Sequence, residues 1–462
     1  MDEGRAGKAR KMKVLLTVHQ FFPDFSAGTE VLTYSVAKEL IGRGHQVRVL
    51  TGHPESSALL EKGKEVEEYD YDGIHVYRYN HSNDHALVSG SRMQLDYDNP
   101  IAAEIFERVL NEFEPDTVHF FHLSRLGSSL ITKVSEKAIP AFLTPTDFWV
   151  ICPKARMSYA DGQACSGPSA NAGNCAMHLA AQPLGAQAES LVKFIPSAVG
   201  DFLVRSVQDQ KYFNLRSLNE VKALGKRLPT NIQRLNRLNK IVVPNRTLEN
   251  LLLQYGVDRE RVVLSAYGIK FDQSIVRSAK AVISSVLRIG FIGTLASHKG
   301  CHVLLEAFQL LDKGSATLKI YGSEAEFPEY SQELRARSEG NSLIEFCGTF
   351  PNSSIGEVLS ELDVLVVPSI WTENTPLVIY SAQAAGCPVL ASDVPGIAEA
   401  IEDDVNGLLF QRGNSKALYQ CLQTLIRDQK KLERLALSAP APKSIATYVD
   451  ELLVIWGQSP SL

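Results

Sequence analysis

A chain of 462 residues is longer than one ordinary hydrophobic core supports, so two domains are expected. With 45% apolar and 21% charged residues it has the composition of a globular protein, and its net charge of −5 gives no general reason to expect a nucleic-acid partner. Nowhere do 18 apolar residues run together, which excludes an ordinary membrane-spanning helix, and seven scattered cysteines fit reduced thiols better than a disulfide framework. The basic N-terminus is followed only by Val14-Leu15-Leu16 before polar residues resume, too short for a secretion signal, so a cytoplasmic chain is expected.

Lys13 to Val18 reads as a buried strand, followed by the loop FFPDFSAGTE, a helix from Glu30 to Ile41 and a strand from Val47 to Leu50. The alternation continues with a helix at about 101–112, a strand at Thr117 to Phe120, a helix at about 126–138 and a strand at Pro140 to Thr144. A second unit opens at LRIGFIGTLASHKGCHVLLEAF (287–308) and runs through LKIYGS (318–323), IEFCGTF (344–350), DVLVVPS (363–369) and CPVLASD (387–393). This order predicts an α/β chain of two doubly wound Rossmann-like domains facing a central cleft, with ligands at the carboxyl ends of the strands. The expected bounds are 1–280 for the first domain, 281–440 for the second, and a C-terminal helix in 441–462 packing back on the first.

Residues 153–240 break the alternation and read as a mainly helical insertion in the first domain. From Arg205 to Lys240 nine basic residues stand against Asp209 and Glu220. Two readings are open: a solvated helical pair with a basic outer side, or a peripheral contact with an anionic membrane face through Phe202, Leu203, Tyr212, Phe213, Leu215 and Leu218.

Five stretches can carry chemistry. In GTLASHKG (293–300), Gly293 opens a strand-to-helix loop whose amides and Lys299 suit a phosphate or diphosphate. In ENTPLVIYSAQAAG (373–386), Glu373 precedes a helix starting near Pro376, with Ser381 about one and a half turns in, near enough for both to touch one ligand. In DTVHFFHLSRLG (116–127), His119 and His122 end a strand, where an imidazole can meet a sugar hydroxyl or a developing charge. In SAGTE (26–30), Gly28 permits close backbone approach and Glu30 begins a helix. Cys152, Cys165, Cys175 and His178 fall within 27 positions; such a set can close a zinc site, but its first spacing of 12 residues is long for one, and no metal is assigned.

Together these residues resemble the retaining glycosyltransferases of the GT-B fold, in the large E-x7-E family (glycosyl transferases group 1, family 4) that includes sucrose synthases and bacterial lipid-linked sugar transferases. The resemblance rests on SAGTE, PDTVHFFHLSRLGSSL, TDFWVICP (146–153), VVPNRTLENLLLQYGV (242–257), GTLASHKG, and above all WTENTPLVIYSAQAAGCPVLASDVPGIAEAI (371–401) with NGLLF (406–410). It implies transfer of a sugar from a nucleotide-diphosphate sugar to a glycan, lipid-linked or other hydroxyl acceptor with retention of configuration, as in polysaccharide biosynthesis, with no metal or further cofactor. By that resemblance Glu373 contacts the transferred sugar, Asn374, Thr375, Pro376 and Leu377 form the loop meeting sugar and diphosphate, and Lys299 neutralises the diphosphate. Gly28 lies in the loop closing over the donor, and His122, rather than His119, stands near the reacting carbon. The chain departs from the pattern at Ser381, where a second glutamate usually holds the ribose, at Thr294, where an arginine usually follows Gly293, and at Lys270 and Thr146. A non-catalytic GT-B binding or scaffold protein is the alternative those exchanges favour; a nucleotide-sugar epimerase is a further one.

Overall fold

The computed structural model describes residues 10–53, 65–81, 90–159, 163–208, 216–271 and 286–458. The chain divides into two units, the first formed by 1–161, 165–268 and 445–462, the second by 162–164 and 269–444.

The first unit is built on an eight-stranded sheet of β1 (Lys13–Val18), β2 (Gln46–His53), β3 (Val66–Tyr71), β4 (Ile74–Asn80), β5 (Thr117–Phe120), β6 (Ala141–Leu143), β7 (Lys240–Val243) and β8 (Val262–Leu264). Its order is β3-β4-β2-β1-β5-β6-β7-β8. All neighbours run parallel except the hairpin β3–β4, an element the apolar periodicity did not suggest. Its turn is Asp72-Gly73, both at positive φ (46° and 75°), the conformation a two-residue hairpin loop requires. No β3 side chain is fully buried, as suits a charged edge strand.

The second unit carries a wholly parallel six-stranded sheet: β9 (Leu287–Ile292), β10 (Ala316–Tyr321), β11 (Ile344–Gly348), β12 (Val364–Val367), β13 (Val389–Ser392) and β14 (Gly407–Phe410), in the order β11-β10-β9-β12-β13-β14. Helices cover both faces, so the strands read as unbroken apolar runs. In β12, Val364 and Val366 enter one core while Leu365 and Val367 enter the other.

The stretch between β6 and β7 is helical: Gly173–Ala181, Ala186–Val192, Ser197–Gln208 and Arg216–Leu235. Residues 209–215, with the expected Lys211, Tyr212, Phe213 and Leu215, lie outside the described residues. The basic outer face expected over 205–240 is corrected at two positions, Arg227, which is buried, and Arg234, which is half-buried. Arg227 is 1% exposed. Its guanidinium donates to Asp96 Oδ2 (2.8 Å), Trp149 O (2.6 Å) and Ile151 O (3.3 Å) and lies over the Trp149 ring. Arg234 donates to Tyr97 O (2.8 Å) and Asp98. Arg227 fastens the long helix to the loop 147–152 and Arg234 fastens it to residues 97–98, because buried carbonyls there need donors.

The helix Ile445–Ile455 belongs to the first unit. Tyr448 Oη meets Thr144 Oγ1 (3.2 Å), Asp450 accepts from Arg43 (2.5 Å), and the Trp456 indole N–H donates to His119 Nδ1 (3.1 Å).

Candidate functional site

In the second unit the segment after β12 builds a polar cluster around one carboxylate. Glu373 is buried, and its Oε1 accepts from Lys299 Nζ (2.8 Å), Ser369 Oγ (2.6 Å) and the Trp371 indole N–H (2.6 Å). All three bonds fall on one oxygen, which anchors the carboxylate and leaves Oε2 to a further donor. Lys299 Nζ also stands 4.9 Å from the Trp371 ring centre, and His298 packs edge-on against that ring (4.5 Å).

Two glycines permit this arrangement. Gly300 has φ +73°, and a Cβ there would lie 1.9 Å from Pro368 O; Gly396 has φ +84°, and its Cβ would lie 2.1 Å from Glu373 O. The first lets the Lys299 turn press on the end of β12, and the second lets the 394–397 turn back the Glu373 loop. Thr375, a β-branched residue, is held at φ 122° with its hydroxyl on Gly396 O (3.2 Å). Such a conformation costs about 1–3 kcal/mol and persists only where surrounding contacts impose it.

Pro376 is the N-cap of the helix Leu377–Ala384, so the helix opens one residue after the expected position. Ser381 lies in the helix interior with its hydroxyl on Leu377 O (3.3 Å), a bond within its own helix. Ser381 is partly exposed, and the one hydrogen bond of its hydroxyl seen among the described residues goes to its own helix rather than toward Glu373. Gly293 and Thr294 follow β9 and are partly exposed; between them and the helix Cys301–Gln309 lies a short 3-10 turn, Ser297–Lys299, which the sequence reading treated as loop. Asn374 and Thr375 are buried, while Pro376 and Leu377 are partly exposed.

In the first unit the strand ends gather a second group. His122 Nδ1 accepts the Ser124 N–H (3.0 Å), which places the proton on Nε2, donated to Asp147 Oδ2 (2.9 Å). Asp147 Oδ1 in turn accepts the Trp149 N–H (2.7 Å). His119, three positions earlier, is fully buried between Thr144 Oγ1 (2.8 Å) and Trp456, and desolvation pulls its pKa down to about 3. It is a neutral packing group. Gly28 is the exposed first residue of the helix Gly28–Gly42, two positions ahead of the expected helix start.

Sequence reasoning assigned Glu30 only to the start of a helix, and passed over His19. Glu30 is 0% exposed, 3.5 Å from His19 Nε2, and the His19 ring lies 4.2 Å from that of His122. Among the described residues neither Glu30 oxygen meets hydrogen-bond geometry, although Gln20 and the Glu30 amide lie near. Desolvation pushes its pKa up to about 7, with His122 and Arg125 opposing. The His19 pKa is driven well below its ordinary value by burial, then by His122 and Arg125. The folded value for Glu30 lies above the unfolded one, so from pH about 4.5 to 7 the native chain keeps a proton the unfolded chain releases, and stability falls across that window. Glu30→Gln is therefore expected to stabilise the protein by up to about 3 kcal/mol at pH 8 and not at pH 4. Melting curves across pH check this; an equal change at both ends would show that the charge is not responsible.

Among the described residues no group of three or more His, Cys, Asp or Glu side chains is placed to hold a metal ion. Cys152, Cys165, Cys175 and His178 do line one small cavity, but Glu189 engages both the His178 ring and Lys154, and burial raises the Cys165 and Cys175 thiol pKa values.

Residues 287–428 match the family described as glycosyl transferases group 1. A D-inositol 3-phosphate glycosyltransferase of Nocardia farcinica is 29% identical over 201 residues, covering 40% of this chain and 44% of the relative. The amylovoran biosynthesis glycosyltransferase AmsK of Erwinia amylovora is 26% identical over 219 residues, covering 45% and 53%. The matched segments thus span about half the length of these relatives. Over nearly whole chains, the structure resembles HepE of Anabaena in complex with UDP and glucose (TM-score 0.62, 15% identity, 96% of this chain and 99% of that one). It also resembles a sucrose-phosphate synthase from Thermosynechococcus elongatus (TM-score 0.62, 15% identity, 96% and 98%). The polar cluster around Glu373 and Lys299 therefore lies within a segment, 287–428, that matches the glycosyl transferases group 1 family, on a chain whose two Rossmann-like units make up a GT-B fold.

Proposed function

We propose that this protein is a glycosyltransferase that moves a sugar from a nucleoside-diphosphate sugar to the hydroxyl of a glycan or lipid-linked acceptor, with retention of configuration, in polysaccharide biosynthesis. The observation that carries the reading is the Glu373 carboxylate, fixed through Oε1 by Lys299, Ser369 and Trp371. Its other oxygen accepts a hydroxyl of the transferred sugar. The strain at Thr375 supports the same assignment, since a loop held in a costly conformation presents amides a relaxed loop would turn away.

As the bond to the leaving diphosphate breaks, negative charge grows on its oxygens while the sugar gains oxocarbenium character. Lys299 meets that charge, helped by the N-termini of the helices Cys301–Gln309 and Leu377–Ala384. The reading assigns this work to side chains and backbone rather than to a metal ion. Gly293, Thr294, Asn374 and Leu377 border the donor, and Gly28 and His122 serve the reaction from the first unit. With acceptor attack on the face the leaving group vacates, the departing phosphate takes the acceptor proton. To donate to a sugar hydroxyl, His122 exchanges its Nε2–H bond to Asp147 for one to the donor, while Ser124 N–H keeps hold of Nδ1.

Thermal-shift titration with nucleoside diphosphates and their sugars, followed by product analysis, tests this: a bound donor raises Tm by mass action, and transfer leaves free nucleoside diphosphate. Stabilisation without turnover on any hydroxyl acceptor would favour a binding or scaffold protein, the reading that the exchanges at Thr294 and Ser381 support. Because Ser381 bonds its own helix, 2′-deoxy nucleoside diphosphates are expected to inhibit within about threefold of the ribo forms, where a carboxylate–hydroxyl bond would make a difference of tenfold or more. A penalty above tenfold would contradict the assignment.

A further inference from the structure

The helices Ala186–Val192 and Ser197–Gln208 of the first unit show an apolar face that sugar transfer does not use. Leu184, Leu191, Phe194, Ile195, Val199, Phe202 and Leu203 are exposed, Phe194 by 75% and Phe202 by 70%. Seven of the thirteen exposed large hydrophobics among the described residues thus crowd into 20 positions, a density that marks a binding surface rather than scattered surface residues. Val199, Phe202 and Leu203 lie at helical spacing on one face of Ser197–Gln208, with Phe194 and Ile195 in the turn before it and Leu191 near the end of the preceding helix.

The opposite side of Ser197–Gln208 is firmly seated. A Cβ on Gly200 would lie 2.6 Å from the Gly173 backbone, and Val204 is buried. Asp201 Oδ1 accepts from Ser169 Oγ (2.7 Å), Gly173 N (2.9 Å) and Asn171 N (3.0 Å). Turning the helix to hide Phe202 would strand that carboxylate, so the outward face of Val199, Phe202 and Leu203 is the arrangement the packing imposes. The only other acid in 182–208, Glu189, is also drawn inward, onto Lys154 and His178. Arg205 is exposed, and Lys193 lies 5.3 Å from the Phe194 ring centre. The outer face therefore combines apolar side chains with cations, its carboxylates withdrawn.

We propose that this face seats the protein on an anionic lipid surface, the two helices lying in the headgroup boundary with Leu191, Phe194, Phe202 and Leu203 in the acyl region and Arg205 and Lys193 among the phosphates. At 12 residues the longer helix is far too short to span a bilayer, and no described helix is long and apolar enough to do so. The contact shares only Arg205 with the basic stretch 205–240, whose Arg227 and Arg234 are engaged by partners within the first unit, and it does not depend on the transfer reading.

Flotation of the full chain with vesicles tests the proposal. The protein is expected to float with phosphatidylcholine–phosphatidylglycerol vesicles, and the double variant F194E/F202E to lose that binding by about tenfold or more while keeping its circular dichroism and Tm. K193Q/R205Q is expected to retain weak binding and lose the preference for anionic over pure phosphatidylcholine vesicles. Failure of the wild-type protein to float, or equal flotation of F194E/F202E, would overturn the proposal. So would a dimer in light scattering that F194E/F202E dissociates without any flotation, since the face would then join two copies of the chain.

Discussion

Lys299→Ala and Glu373→Ala are each expected to lower sugar transfer by about 10²- to 10³-fold, the usual consequence of removing one fixed charge or donor aimed at the transition state. The two variants should differ in stability. Glu373 is buried and keeps Ser369 and Trp371 as donors when Lys299 is lost, but its charge is then unneutralised. Lys299 is 25% exposed and reaches water when Glu373 is lost. Lys299→Ala is therefore the more destabilising, and Glu373→Gln, which preserves an acceptor for Ser369 and Trp371, separates charge from shape. Steady-state kinetics with the donor found by thermal shift, alongside melting curves, provides the check. Wild-type rates in either alanine variant would remove Lys299 and Glu373 from the mechanism.

Arg227→Met should be among the most damaging changes to stability. It removes the donors to the Trp149 and Ile151 carbonyls and, among the described residues, leaves Asp96 with the Trp149 indole alone. Breaking a buried pair from one side costs about 3–5 kcal/mol, and since Asp96 is 27% exposed the lower end applies to the charge itself, with the orphaned carbonyls adding to it. For a unit of this size that is a fall in Tm on the order of 10 °C. Double substitution with Asp96→Asn should recover part of the loss. If Arg227→Met melts with the wild type, the guanidinium is not the clamp between the long helix and the 147–152 loop.

Much of the architecture is legible because it is written in short-range pattern. Unbroken apolar runs such as VLVV signal strands covered on both faces, and the helices between them repeat at the helical period. The hairpin β3–β4 was legible too, since Asp-Gly stands between YDY and IHVY, but the charges of a solvated edge strand hide the alternation that apolar counting seeks. The site was legible in part: Glu373 and the turn through Asn374-Thr375-Pro376 announce the helix behind them, whereas Ser369 and Trp371, only four and two positions before Glu373, were passed over because nothing in their spacing marks them as donors to it.

What the sequence by itself determined is therefore the alternation of strand and helix, the parallel core of the two sheets, and the short segments able to carry charge to a ligand. Tertiary structure alone decided the rest. It brought Lys299 to Glu373 across 74 positions. It also separated His119 from His122: a tryptophan 337 positions away closes over the first, whereas the second meets an exposed-side carboxylate. Likewise it turned Arg227 inward and Phe194 and Phe202 outward, the reverse of what residue type suggests. The reason is physical: local propensity and periodicity reside in neighbouring residues, whereas burial, desolvation and charge pairing are set by groups the chain brings together only on folding.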